Sequence, residues 1–441
     1  MYMVNSTASA GSIEAALEHS PGWLADIRRE AWERGAGMDF PRSSDEFWRY
    51  TDLNLLELGS YRQLDRDSDD TSLKNLPARA GGKQQMVPEA PTHDLRRPGA
   101  FLGVYTPPKI DGDFTGKHII SVEQFESNDL KILFDATASI RRRLKQRDRG
   151  LLELCAGKIA VTLFYEASTR TDMSFQAAMR RLGGEIVAAS NGVQFSSVYK
   201  GENLADTVRA AGCYADAIIL RHPDVGSSYE AAYYLDRLRE QIQRQPMIIS
   251  GGDGVGEHPT QALLDMFTIF DFKKTFDGLT ITLVGDLKNG RTVHSLSKLL
   301  ARYGAQDVKL CLVSPDQLRM PDKITAELKA AGVDLFETED LSEVIGRTDV
   351  IYWTRIQEER FSDPADYEAV KDSFIMTPPV LAQAKADAIL MHPLPRKHEM
   401  GTPADHDALD ADPRAVYFQQ MENGMFVRMA LLTKVLRGVY V

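Results

Sequence analysis

Residues 166–175 read Glu166-Ala167-Ser168-Thr169-Arg170-Thr171-Asp172-Met173-Ser174-Phe175. They join an apolar run, 159–165, to a segment of helical period, 173–182, and so predict a strand-to-helix turn. At such a turn the first backbone N–H groups of the helix have no partner within it. The helix dipole adds roughly half a positive charge there, which makes an anion the natural occupant. Hydroxyls on Ser168, Thr169 and Thr171 can donate to phosphate oxygens, and Arg170 adds a charged fork able to hold two of them. The same residues also suit an ordinary N-cap, since Ser and Thr commonly precede helices for that reason alone.

Outward from this turn, further apolar runs at 186–189, 217–220, 247–250, 279–284, 308–313, 349–352 and 388–391 alternate with helical stretches such as 324–331. That alternation predicts parallel sheets. Arg221-His222-Pro223 closes the 217–220 run, at the edge where open parallel sheets bind ligands. Arg221 is therefore a candidate to polarise a carbonyl, with a structural ion pair as the competing account. Gly251-Gly252-Asp253-Gly254 permits a sharp turn toward His258-Pro259-Thr260-Gln261. Pro259 suits the first turn of a helix, and Gln261 falls one turn along on the side of His258. A histidine taken alone is more often a satisfied structural group. Residues 279–290 have the strand and glycine turn of a doubly wound module but lack the three-glycine spacing of dinucleotide binders.

Residues 251–267, Gly-Gly-Asp-Gly-Val-Gly-Glu-His-Pro-Thr-Gln-Ala-Leu-Leu-Asp-Met-Phe, and 391–396, Met-His-Pro-Leu-Pro-Arg, complete an ordered set with Ser-Thr-Arg-Thr. With these motifs the chain resembles the carbamoyltransferases, specifically the aspartate carbamoyltransferases, from about residue 117 to the C-terminus. The resemblance implies an α/β fold: two doubly wound parallel-sheet domains, preceded here by a small helical N-terminal extension. Residues 113–256, joined by the last helix at 422–441, would bind carbamoyl phosphate, and residues 257–421 aspartate.

By resemblance, Ser168, Thr169, Arg170 and Lys200 fall to the phosphate, and Thr171, Arg221 and His258 to the carbonyl oxygen. Gln261 and the carbonyls of Pro393 and Leu394 fall to the amine groups, and Arg291, Arg355 and Gln357, with Lys200 again, to aspartate. Arg355 and Gln357, two residues apart, share one side of an extended segment. Glu166 and Arg360 match positions that brace the two domains when closed. Ser196 and Lys200 match a loop that enters a neighbouring subunit's site, which implies a homotrimer with shared active sites. The implied reaction is attack of the aspartate α-amine on carbamoyl phosphate, an early step of pyrimidine biosynthesis. It needs no metal or organic cofactor, because the donor is already activated and the protein need only position two anions and stabilise an oxyanion.

Ornithine carbamoyltransferases are the nearest rival. A cationic acceptor calls for acidic groups whereas paired arginines suit a dicarboxylate, and that family has a cysteine at the position of Pro393. An inactive scaffold acting through the N-terminal extension is the rival of another class, and the near-complete set of polar site residues argues against it. Asp172 departs from the family, which usually has a basic residue there.

The 441 residues suffice for two or three domains. A net charge of -11 argues against nucleic acid or an anionic membrane as main partner, but not against anionic substrates in a locally cationic cleft. Cys155, Cys213 and Cys311 lack metal-ligand spacing and suggest reduced thiols in a cytoplasm. The first twenty residues carry two glutamates and no Lys or Arg, which fits neither a secretory signal nor a transit peptide. Within the expected extension, 1–64, Trp23, Leu24, Ile27 and Trp32 recur at near-helical spacing. Residues 45–53, Asp-Glu-Phe-Trp-Arg-Tyr-Thr-Asp-Leu, are similar to the opening of the D component of the Suf iron–sulfur assembly scaffold, without any cluster ligand. A plain helical appendage is the preferred account of them over a role in cluster assembly. Residues 65–112 read as a linker, poor in aromatics over its first half. Regulatory chains or other pathway enzymes remain open as partners.

Overall fold

The apolar runs become two parallel sheets in the computed structural model of the chain, which describes residues 98–189, 201–242, 244–361 and 363–437. The expected extension, the Suf-like stretch, most of the linker, and Ser196 and Lys200 lie outside the described residues. Residues 98–112, at the end of the expected linker, pack against the first domain. Phe101 is fully buried against Tyr233 and Tyr234, with ring centroids 5.2 and 5.8 Å away, and the Tyr105 hydroxyl donates to Asp236 at 2.7 Å.

In the first domain, α1 (Ser127–Lys145) precedes β1 (Ile159–Phe164), α2 (Thr169–Arg181), β2 (Glu185–Ala188), α3 (Leu204–Gly212), β3 (Ala217–His222), α4 (Ser227–Ile242) and β4 (Met247–Asp253). The strand order is β2-β1-β3-β4, with every neighbouring pair parallel. Strands β1 and β3 are almost wholly buried, as central strands covered on both faces must be, and so is β4, along whose outer side the chain at Ile119 bridges to Ile249, whereas edge strand β2 is largely exposed. Next comes α5 (Pro259–Lys273), buried at every position through Ile269, so its sequence shows little amphipathic period.

The second domain runs β5 (Thr280–Val284), α6 (Arg291–Tyr303), β6 (Lys309–Val313), α7 (Asp322–Ala330), β7 (Asp334–Thr338), β8 (Val350–Trp353), α8 (Pro364–Val370), α9 (Pro378–Leu381), β9 (Ile389–Met391) and α10 (Pro403–Asp410). Its order is β7-β6-β5-β8-β9, again parallel throughout. Finally α11 (Tyr417–Arg437) returns to pack on α1, α2 and α5, and Arg437 Nη2 donates to the carbonyl of Ala156 at 3.2 Å.

Each sheet reverses its direction of winding at one place, between β1 and β3 and between β5 and β8. Loops leaving the carboxyl ends of strands on the two sides of such a point diverge and leave a crevice. Glu166 to Thr171 follow β1, Arg221 ends β3, Arg291 opens the helix after β5, and Arg355 and Gln357 follow β8. The topology thus places these residues at the carboxyl ends of the strands that flank the two switch points.

Candidate active site

The turn after β1 is the strand-to-helix junction that the sequence predicts, but the helix starts earlier than its apolar period suggests, at Thr169 rather than Met173. Ser168 occupies the N-cap with φ -152°, yet its side chain makes no capping hydrogen bond. The ordinary N-cap account therefore does not hold for its hydroxyl. Arg170 is exposed, and no hydrogen bond or ion pair engages it among the described residues. Partial burial and the like charge of Arg355 hold its pKa below that of a free guanidinium. Two cations sharing a cleft at a helix N-terminus suit an anion. Asp172 is turned along the helix, where its Oδ1 accepts from Gln176 Nε2 at 2.7 Å.

Arg221 is buried at the end of β3. Its Nη1 donates to the Gly251 carbonyl at 3.0 Å and its Nη2 to Glu166 Oε1 at 2.9 Å, while Nε is buried without a partner. Burial first, then Arg291, push its pKa down to about 10 against the pull of Glu166. For the Glu166 carboxyl, burial acts upward, but Arg221 and Arg291 outweigh it and hold it below the usual carboxylate range. Arg291 also reaches both Glu166 oxygens at 3.5 Å and donates to the Gly254 carbonyl at 2.5 Å. Glu166 thus links the two domains through Arg291. Arg360, the other position expected to brace the domains when closed, is exposed and has no ion pair among the described residues.

His258 caps α5, is 4% exposed, and stands with Nε2 3.5 Å from Thr171 Oγ1. Its Nδ1 is buried without a partner. Burial, reinforced by Arg291, Arg221 and Arg428, holds its pKa well below the ordinary value, so the ring is a neutral imidazole at neutral pH. Gly252 makes room for this cluster. Its φ is +113°, and a Cβ there would lie 3.1 Å from Arg221 Nη1 and 3.4 Å from both Arg291 Cζ and His258 Cδ2. Gln261, also buried, donates through Nε2 to Asp265 Oδ1 at 2.9 Å.

From the second domain, Arg355 is held by Glu359 in a two-point pair, with Nη1 2.9 Å from Oε2. The Gln357 backbone donates to Asp286 Oδ2 at 3.4 Å. The loop after β9 is pinned by His392, whose Nδ1 accepts from the Leu394 N–H at 2.8 Å, leaving Nε2 to donate to Glu399 Oε1 at 3.1 Å. Pro393 and Leu394 are half-buried, and Arg170 contributes to depressing the pKa of His392, mainly a burial effect, which puts this loop beside the turn after β1.

The structure therefore brings together Ser168 to Thr171, Arg221, His258, Gln261, Arg291, Arg355 and the 392–394 loop. It also shows groups that the sequence did not single out. Arg428 is buried over the Phe175 ring at 5.0 Å and donates to Ser174 Oγ at 2.7 Å, and burial holds its pKa at about 10. Asp265, Tyr352 and Gln420 form a buried network behind Gln261. Only the spacing of Arg355 and Glu359, four apart, carried a local signal. Among the described residues no cluster of His, Cys, Asp or Glu is arranged to hold a metal ion.

Residues 117–271 match the family model of the aspartate/ornithine carbamoyltransferase carbamoyl-P binding domain, and residues 277–435 that of the Asp/Orn binding domain. Multifunctional protein pyr1-3 of Dictyostelium discoideum is 49% identical over 325 residues, 74% of this chain and 14% of that protein. Multifunctional protein CAD of Squalus acanthias is 48% identical over 323 residues, 73% of this chain and 14% of that protein. The chain thus aligns with about one seventh of the length of these curated relatives. Aspartate transcarbamoylase from Trypanosoma cruzi, solved with carbamoyl phosphate and aspartate, is similar with a TM-score of 0.66 and 41% identity, covering 75% of this chain and 100% of that one.

Proposed function

The chain belongs to the aspartate/ornithine carbamoyltransferase family, and we propose that it transfers the carbamoyl group of carbamoyl phosphate to the α-amine of L-aspartate. The observation that carries this reading is Arg170 at the α2 N-terminus, paired with none of the described residues and beside a second guanidinium and a neutral buried His258. Phosphate takes the N–H groups of α2, the Ser168 and Thr169 hydroxyls and Arg170. Thr171, Arg221 and His258 surround the carbonyl oxygen, where a neutral ring can donate a hydrogen bond. Gln261 and the carbonyls of Pro393 and Leu394 accept from the carbamoyl amide.

Arg291, Arg355 and Gln357 take the carboxylates of aspartate. The amine nitrogen bonds to the carbonyl carbon, the C–O bond to phosphate breaks, and the amine proton leaves with phosphate. Products are N-carbamoyl-L-aspartate, an early intermediate of pyrimidine formation, and inorganic phosphate. Positioning and oriented donors suffice for this chemistry, so no cofactor is assigned.

Paired arginines on the acceptor side favour a dicarboxylate over ornithine. Incubation with carbamoyl phosphate and either amino acid tests this: turnover is expected with aspartate and not with ornithine. Turnover with ornithine alone, or with neither, overturns the reading. We further propose a homotrimer in which Ser196 and Lys200 complete a neighbour's site, supported by the likeness of their segment to the family's shared loop. Cytoplasmic residence is proposed from the free thiols of Cys155, Cys213 and Cys311; no described helix is long and apolar enough to cross a membrane.

A further inference from the structure

Asp265 lies on α5 one turn beyond Gln261, is fully buried, and receives hydrogen bonds from three elements. Its Oδ1 accepts from Gln261 Nε2 at 2.9 Å and from Gln420 Nε2 on α11 at 2.7 Å, and its Oδ2 accepts from the Tyr352 hydroxyl on β8 at 2.8 Å. Gln420 turns its other end to the loop after β9, where Oε1 accepts from the His392 N–H at 3.0 Å. A backbone N–H only donates, so Gln420 must face that loop with its carbonyl and Asp265 with its NH2. Oδ1 is then an acceptor, and Gln261 must offer it NH2 as well. The Gln261 carbonyl oxygen accepts nothing from the described residues.

We propose that Asp265, with Gln420, is the positioning group that aligns Gln261 and the His392–Leu394 loop as acceptors for the carbamoyl NH2, and so selects carbamoyl phosphate over acyl phosphates that lack that donor. The inference rests on the carbamoyl transfer proposed above. Asp265 touches no substrate: it fixes the sense of one amide directly and the placement of the loop carbonyls through Gln420. Loss of its carboxylate frees Gln261 to rotate and present NH2 to NH2. Burial raises the Asp265 pKa to about 7, and the arrangement survives protonation, since a proton on Oδ2, facing Tyr352, leaves Oδ1 an acceptor.

Acetyl phosphate supplies the probe, because it keeps the phosphate and carbonyl and carries a methyl where carbamoyl phosphate has NH2. Its competitive inhibition constant divided by the KM for carbamoyl phosphate measures recognition of that NH2. Asp265→Leu is expected to lower this ratio at least about fivefold, the worth of one neutral hydrogen bond. Asp265→Asn, which keeps an acceptor at Oδ1, is expected to hold the ratio within about twofold of wild type. Should Asp265→Leu not fold, Gln420→Met, which cuts the link to His392, carries the expectation of a lowered ratio. An unchanged ratio in Asp265→Leu or, failing that, in Gln420→Met means that the network only supports the fold, and overturns the inference even if activity drops. A wild-type protein that does not turn over carbamoyl phosphate with aspartate sinks the underlying reading as well, so the two failures are separable.

Discussion

Asp172 puts a negative charge in the first turn of α2, where it favours the helix and opposes a bound phosphate. Its hydrogen bond to Gln176 turns one oxygen along the helix but leaves the charge in place. Asp172→Arg is expected to lower the KM for carbamoyl phosphate about threefold or more, from a dipole- and charge-scale effect of roughly 0.6 kcal/mol. Steady-state kinetics at fixed aspartate read this out, and an unchanged or raised KM contradicts it. The placement of such residues was legible in the sequence because strand ends and glycine turns announce which side chains stand at the carboxyl edge of a parallel sheet. Arg170, Arg221 and His258 all stand at such punctuation. Arg428 does not: it interrupts an apolar helix face, and no local pattern says that its guanidinium will lie over Phe175 and act on the His258 ring.

Among the elements, α5 carries the heaviest constraint, since Asp265 joins it to β8 and α11. Burial lifts the Asp265 pKa to about 7, well above the ordinary carboxylate range. A raised folded pKa means that the folded chain binds the proton more tightly, so this group's contribution to stability is full at low pH and is lost as pH rises through about 7. Between pH 6 and 8 the loss is about 1 kcal/mol. Thermal unfolding at the two pH values is expected to show a corresponding fall in Tm, and Asp265→Asn, which has no proton to lose, to flatten it. An equal fall in both proteins assigns the pH dependence to other groups. Helix α5 also shows why elements are unequally legible. It was signalled by His-Pro-Thr-Gln rather than by period, because burial on every side erases amphipathicity. Strand β7, Asp-Leu-Phe-Glu-Thr, gave no apolar run, for it lies at a sheet edge with no fully buried residue. Which buried polar groups would meet across elements, as Gln420 meets Asp265, is decided by packing and is written in no window of sequence.

For the whole molecule, the tension is between a net charge of -11 and a crevice built around Arg170, Arg221, Arg291 and Arg355. An acidic surface keeps the protein soluble, while a cationic cleft with low-dielectric walls draws small anions in. Two anionic substrates side by side need more positive charge than Arg170 supplies at the phosphate, and Lys200 from an adjacent chain meets that need in the proposed trimer. Lys200→Ala and His258→Ala proteins should each be nearly inactive. If they are mixed, dissociated and reassembled, a site pairing an intact His258 from one chain with an intact Lys200 from its neighbour arises at about one site in four. Recovery of about a quarter of wild-type activity is therefore expected, together with mixed trimers in native mass spectrometry. Mixed trimers without recovered activity would place both residues in the same chain's site, and a monomer at working concentration would remove the shared site altogether.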